Sequence, residues 1–203
     1  MSLTFIIIAV TCLISYYSFS NRELYQKLVF SPSWTIKHKE WYRIVSHTLL
    51  HADYMHLFVN MFVLYSFGSN VERIFPSVFG SMASVYFILL YVGGAAFASL
   101  PALKKHGNNP YYTAVGASGA VAAVLFTSIV LSPMSKISLL FIPIGIPAFI
   151  FGPLYIGLEY YLYKRGGGNV AHDAHYWGAI FGFVFPLILE PKLITYFFGQ
   201  IFG

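Results

Sequence analysis

Three groups of polar side chains interrupt an otherwise oily chain, and their residue types are those of hydrolytic chemistry. The first is His47, His51, His56 and Asn60, in a stretch that runs directly into Met61-Phe-Val-Leu-Tyr. The second is Gly116-Ala117-Ser118-Gly119, and the third is Ala174-His175 followed by Gly178 and Gly182. A serine hydroxyl and an imidazole within reach of each other are the minimum for a nucleophile with its general base. His56 and Asn60, four residues apart, share one helical face and could offer hydrogen-bond donors together. Each piece also has a plainer use: a packing serine, an interfacial histidine, an asparagine joining two helices. Chemistry is favoured only if the fold brings all of them to one place.

The elements that must do so are membrane helices. The chain of 203 residues is 58% hydrophobic and 9% charged, with a mean hydropathy of +0.69, far from the balance of a soluble domain. Its net charge of +5 comes from basic residues set between apolar runs, which places them at membrane edges and argues against a nucleic-acid partner. The single cysteine, Cys12, excludes an intrachain disulfide and a multi-cysteine metal site. A spanning helix needs roughly 20 mostly apolar residues. On that rule we expect one all-α membrane domain over residues 1–203, a six-helix bundle with spans at about 3–19, 55–71, 78–103, 114–131, 148–163 and 174–189. The first has no basic segment before it and no small-residue cleavage site after it, so it reads as a retained helix. Pro143, Pro147 and Pro153 break the run after Ile137, leaving residues 137–147 as a hydrophobic connector. Residues 21–54 form a long connection with Trp34, Trp41 and Tyr42, expected to lie in the interface. Glycine-rich connectors follow at 104–113 and 165–170.

Alternating spans cross in opposite directions, so the second, fourth and sixth helices begin at the same face. His56 and Asn60, Ser118, and His175 open those three helices. A lipid-facing His or Asn would lack hydrogen-bond partners, so these faces should turn inward or line a wet cavity. Gly116 and Gly119 beside Ser118, and Gly178-xxx-Gly182 behind His175, permit close helix crossings.

With these motifs the chain resembles the rhomboid family of intramembrane serine proteases, from about Trp41 to Gly182. The resemblance rests on His51-xxxx-His56-xxx-Asn60, on Gly116-x-Ser118-Gly119, and on Ala174-His175-xx-Gly178-xxx-Gly182. It implies a six-span fold and a Ser–His dyad without a third acid, Ser118 as nucleophile and His175 as base. It implies oxyanion stabilisation by His56 and Asn60, with support from Arg43, His51, Gly116, Gly119, Gly178 and Gly182. His172 competes for the base role but lacks the glycine spacing behind it, and His47 reads as interfacial. No cofactor and no metal are implied; the partners are transmembrane protein substrates and the lipid bilayer. Two positions depart from the family pattern. Tyr42 separates Trp41 from Arg43, and Ala122 stands where some members place an aromatic against the catalytic histidine. Something else must then brace His175, such as Tyr176, Trp177 or an aromatic from another helix.

The resemblance also implies a bacterial-type plasma membrane protein with a cytoplasmic N-terminus and an active site open to the extracytoplasmic side. The positive-inside rule points the other way. Arg22, Lys27, Lys37, Lys39, Arg43, Lys104, Lys105, Lys164 and Arg165, nine of the twelve basic residues, would lie outside, and only Arg73, Lys136 and Lys192 inside. Two other functions compete with proteolysis. One is a rhomboid-like protein that binds membrane helices without cutting them, against which stands the presence of both Ser118 and His175. The other is a metal site or transporter lined by His47, His51, His56, His172 and His175, which lacks a His-Glu-xx-His motif.

Overall fold

A computed structural model describes residues 2–139, 142–166 and 171–203. The chain is mostly helical. Helix α1, Leu3–Ser18, is started by two caps. The Ser2 hydroxyl accepts from the Phe5 N–H at 3.4 Å. The Glu72 carboxylate, from a distant helix, accepts from the N–H of Leu3 at 2.5 Å and of Thr4 at 3.0 Å. A carboxylate at a helix N-terminus meets both the orphan N–H groups and the positive end of the helix dipole.

The long connection after α1 is folded. It contains three short helices, α2 (Arg22–Leu28), α3 (Pro32–His38) and α4 (Arg43–Ser46). Asp53 then caps α5, Tyr54–Val63, accepting from the His56 N–H at 2.7 Å. A π-helical turn over Leu64–Gly68 leads into α6, Ser69–Phe79. At Gly80, with φ +54°, a conformation few other residues adopt, the chain folds back. Phe75 and Phe87 show the reversal: their ring centroids lie 6.5 Å apart, against ~18 Å for twelve residues of straight helix. Helix α7 is Ala83–His106.

Helix α8, Ser118–Leu131, is the hub of the bundle: every residue from Gly119 to Leu131 is buried. It packs most extensively on α10 (His172–Leu189), then on α7. The expected connector contains a two-stranded antiparallel sheet, β1 (Lys136–Leu139) with β2 (Ile142–Pro147), registered by Lys136 opposite Pro147 and Ile137 opposite Ile146. Its prolines fit a two-stranded edge, which has ladder positions that need no N–H. Helix α9, Ala148–Arg165, follows at once. Helix α11, Lys192–Phe202, turns 113° away from α10 just after Pro191. Nothing in the sequence reading anticipated α11. The glycine-rich connector expected at 165–170 lies largely outside the described residues.

Among the described residues, the helical run Tyr54–His106 is long and apolar enough to cross a membrane, and Leu3–Ser18 and Ser118–Leu131 are shorter apolar helices. The burial pattern suits lipid. Helix α1 buries Thr4, Thr11, Ser15 and Ser18 and exposes Phe5, Ile6, Val10 and Leu13. Water would favour the reverse. In a bilayer the apolar face needs no cover, and small polar residues make the helix contacts.

Candidate functional site

Ser118 is the first residue of α8, and the segment before it is held from several directions. Phe30 and Ala114 exchange backbone hydrogen bonds at 3.2 and 2.9 Å, and the Gly116 N–H donates to the His47 carbonyl at 3.1 Å. These bonds latch the first connection onto the turn that leads to Ser118. Arg43 secures that connection from within. It is buried; its Nε donates to Glu40 at 2.6 Å, and its Nη1 donates to the carbonyls of Gln26 and Val29 at 2.7 and 2.9 Å. The side-by-side Trp-Arg pattern is absent, yet the guanidinium still joins two backbone carbonyls at the end of α2 to the Glu40 carboxylate.

His51 is 1% exposed and uses both ring nitrogens. The Ser15 hydroxyl donates to the Leu49 carbonyl at 2.7 Å, so it accepts from His51 Nδ1 at 2.9 Å. Nε2 is then free to accept the Ala117 N–H at 3.5 Å. His51 therefore ties α1 to the residue before Ser118.

Gly116 has φ +120°, and a Cβ there would stand 2.7 Å from His56 Cε1 and 2.9 Å from its Nε2. Both the backbone conformation and the imidazole against it require glycine. The Ala52 N–H donates to His56 Nδ1 at 3.4 Å, which leaves the ring proton on Nε2. Asn60 is buried on the same face and donates one Nδ2 hydrogen to the His56 carbonyl at 2.9 Å.

The other side of Ser118 is built by α10. A Cβ on Gly119 would stand 3.4 Å from the Ala174 carbonyl oxygen, and one on Gly178 would collide with the Gly119 carbonyl. Lower down, a Cβ on Gly182 would collide with the Ala123 carbonyl. At that level the Thr127 hydroxyl donates to the Gly182 carbonyl at 2.7 Å. Helices α8 and α10 thus cross at backbone contact. Ser118 lies between Gly116, which backs onto His56, and Gly119, which backs most closely onto Ala98 of α7 and then onto Ala174 in the first turn of α10. His175 sits in that turn.

Among the described residues, Ser118 Oγ makes no hydrogen bond to His175. Instead His175 Nδ1 lies 3.1 Å from Glu159 Oε1, and His172 Nδ1 lies 2.7 Å from Glu159 Oε2. Tyr176 packs on Tyr160 and Trp177, and Trp177 packs on Phe97. The brace on His175 is thus a carboxylate from α9, which sequence reasoning missed. A signal was available. Of seven acidic residues, Glu159 alone falls inside an expected span, and an ionisable group there is a functional candidate by default. Glu159, His172 and His175 also have the donor types of a cation site, with ligand atoms within 4.8 Å of one another.

Comparison with known proteins points one way. A family profile described as "Rhomboid domain" matches residues 38–192. The chain is 32% identical over 146 residues to RHOMBOID-like protein 12, mitochondrial, of Arabidopsis thaliana, covering 66% of this chain and 43% of that one. It is 27% identical over 166 residues to rhomboid protease GlpG of Haemophilus influenzae, covering 82% and 78%. It is 26% identical over 185 residues to Rhomboid-like protein 15 of Arabidopsis thaliana, covering 87% and 42%. The matches thus span less than half the length of both plant proteins.

Proposed function

Because the chain belongs to the rhomboid family, we propose that it is an intramembrane serine endopeptidase. In this reading residues 1–203 are one six-span domain that cuts peptide bonds in or beside the membrane helices of other proteins. The observation that carries it is the crossing of α8 and α10 at Gly119 and Gly178, residues beside Ser118 and in the turn after His175, which supports a meeting of the two reactive side chains. The likeness to a rhomboid protease over 82% of the chain supports the same reading.

Depth supports it as well. Fourteen residues of α8 make a helix about 21 Å long, against a hydrocarbon core of about 30 Å. With its far end at one face, Ser118 sits roughly 10 Å below the other. Non-helical backbone such as the segment leading to Ser118 is tolerated at that depth only inside protein or beside a water-filled cavity. Hydrolysis needs such a cavity, since water is the second substrate.

In this mechanism His175 takes the Ser118 proton as Oγ attacks the scissile carbonyl carbon, giving a tetrahedral oxyanion. The Ser118 backbone N–H, His56 and Asn60 donate to that oxygen. The His56 tautomer is the required one, with its proton on Nε2, and Asn60 keeps a second amide hydrogen. Each such donor contributes about 3–4 kcal/mol in a preorganised, water-poor site. The imidazolium then gives its proton to the leaving amine, and the C–N bond breaks. Water, deprotonated by the same imidazole, attacks the acyl-enzyme; Ser118 Oγ leaves and regains a proton.

The test is cleavage of a reporter with one membrane helix by the purified protein in proteoliposomes, alongside labelling by a mechanism-based serine reagent. Wild type cleaves and is labelled. Ser118→Ala loses both, and His175→Ala loses at least about 1000-fold in rate. Cleavage persisting in Ser118→Ala would overturn the serine-protease reading, and a wild type that binds the reporter helix without cutting it would leave a helix-binding role.

A further inference from the structure

The mechanism above leaves one buried charge without a task. Glu159 is 8% exposed, and both of its oxygens lie within hydrogen-bond distance of imidazoles. A carboxylate accepts hydrogen bonds and cannot donate them. His172 and His175 must therefore each present Nδ1–H to it. A neutral imidazole carries one proton, so the free lone pair of His175 is on Nε2, the only nitrogen left for any other partner. That is the tautomer a general base needs.

We propose that Glu159 is a positioning residue of the reaction, a third member behind Ser118 and His175. It fixes the His175 ring and tautomer, and it faces the imidazolium that forms when Ser118 gives up its proton. This inference rests on the protease reading and deepens it. Three observations separate it from plainer roles. Burying a carboxylate merely to join α9 to α10 is a poor exchange, because apolar residues of similar volume pack as well without the desolvation cost. Among the described residues no Phe, Tyr or Trp ring packs on the His175 imidazole; its ring neighbour is His172, edge-on at 6.2 Å, and Glu159 is its side-chain hydrogen-bond partner. The N···O separations of 2.7 and 3.1 Å are those of direct hydrogen bonds, with protons where a shared cation would have to sit.

The experiment uses the full chain in proteoliposomes with the same reporter. Glu159→Gln lowers kcat at least about 10-fold while KM changes by less than about 2-fold, because the side chain acts through the imidazole and not on the substrate. Glu159→Asp, which keeps the charge, recovers part of kcat. A second readout needs no activity. In a Ser118→Ala background, 15N spectra of labelled histidine show His175 with its proton on Nδ1 when Glu159 is present, and mixed tautomers with Glu159→Gln. Should Glu159→Gln fail to fold, the tautomer in the Glu159-containing protein and the kcat of Glu159→Asp decide. Wild-type kcat in Glu159→Gln, or a His175 proton on Nε2 when Glu159 is present, overturns the inference. So does activity lost in chelator and restored by zinc, which would make the cluster a metal site. Cleavage by Ser118→Ala would defeat the protease reading itself. Ser118-dependent cleavage indifferent to Glu159 defeats only this proposal.

Discussion

His51 shows how a titratable group can serve a site without reacting in it. Burial pushes its pKa down to about 3, and the neighbouring His56 adds to the effect. Protonation would also break the bond that Nε2 accepts from the Ala117 N–H. The unfolded chain binds this proton below about pH 6.5, and the folded chain does not until about pH 3. The folded state therefore has the full benefit above the unfolded value and loses it as pH falls, by about 1.4 kcal/mol per unit within that window. We expect the melting temperature in detergent to drop steadily from about pH 6.5 downward. A shallower drop in His51→Gln would assign the slope to this ring, and an equal slope would remove it from the account.

At the scale of elements, the decisive contact is the crossing of α8 and α10, where Gly178 and Gly182 lie against backbone carbonyls of α8. Only a glycine lets two helices meet this closely, since a methyl group at either place occupies space already filled. Gly178→Ala and Gly182→Ala should each cost about 1–3 kcal/mol or more, read as a lowered melting temperature, with cleavage falling as the crossing opens. Gly157, with nothing near its added Cβ, is the control. Alanine there should be neutral or stabilise by up to about 1 kcal/mol. The Gly178–Gly182 spacing was visible in the sequence, and so was its consequence. The strand pair Lys136–Leu139 and Ile142–Pro147 was legible only as a break, because prolines announce where a helix stops and not what replaces it. Helix α11 was hidden behind Glu190-Pro191, which mark the end of a span and say nothing of the turn that follows.

Over the whole molecule, an apolar core that includes Phe30, Phe75, Phe87 and Phe126 is wrapped in an outer face that is apolar too, with small polar side chains buried at helix contacts. Thr4, Thr11, Ser15 and Asn60 are buried, while Phe58, Phe62, Ile88 and Leu89 are exposed. The same logic bears on orientation. The first connection, which carries five of the basic residues, is folded, with Arg43 buried and Lys27 paired with Glu23 at 2.7 Å. It behaves as structure at the membrane edge, whereas the positive-inside rule applies to short translocated loops. Our reading therefore keeps the Ser118 end of the bundle outside. In a chain with Cys12 replaced, Tyr111→Cys, at a position 92% exposed, should react with an impermeant maleimide on intact cells. Ser77→Cys should react only after permeabilisation. The opposite result would invert the topology and leave the chemistry untouched.

Apolar length, helix parity and the small-residue spacings are one-dimensional properties, and each was readable along the chain. They pointed to a helical membrane protein, to helices expected to begin at one face, and to the serine and histidines proposed to act together there. Partners that approach from remote segments were decided by tertiary structure alone. Glu72 capping α1, His51 reaching Ala117, and Glu159 holding His175 all join residues with no periodic relation in sequence. A carboxylate carries no mark of which imidazole it will meet. Only the crossing angles and depths of packed helices decide that, because a hydrogen bond depends on a separation of about 3 Å that no spacing rule encodes.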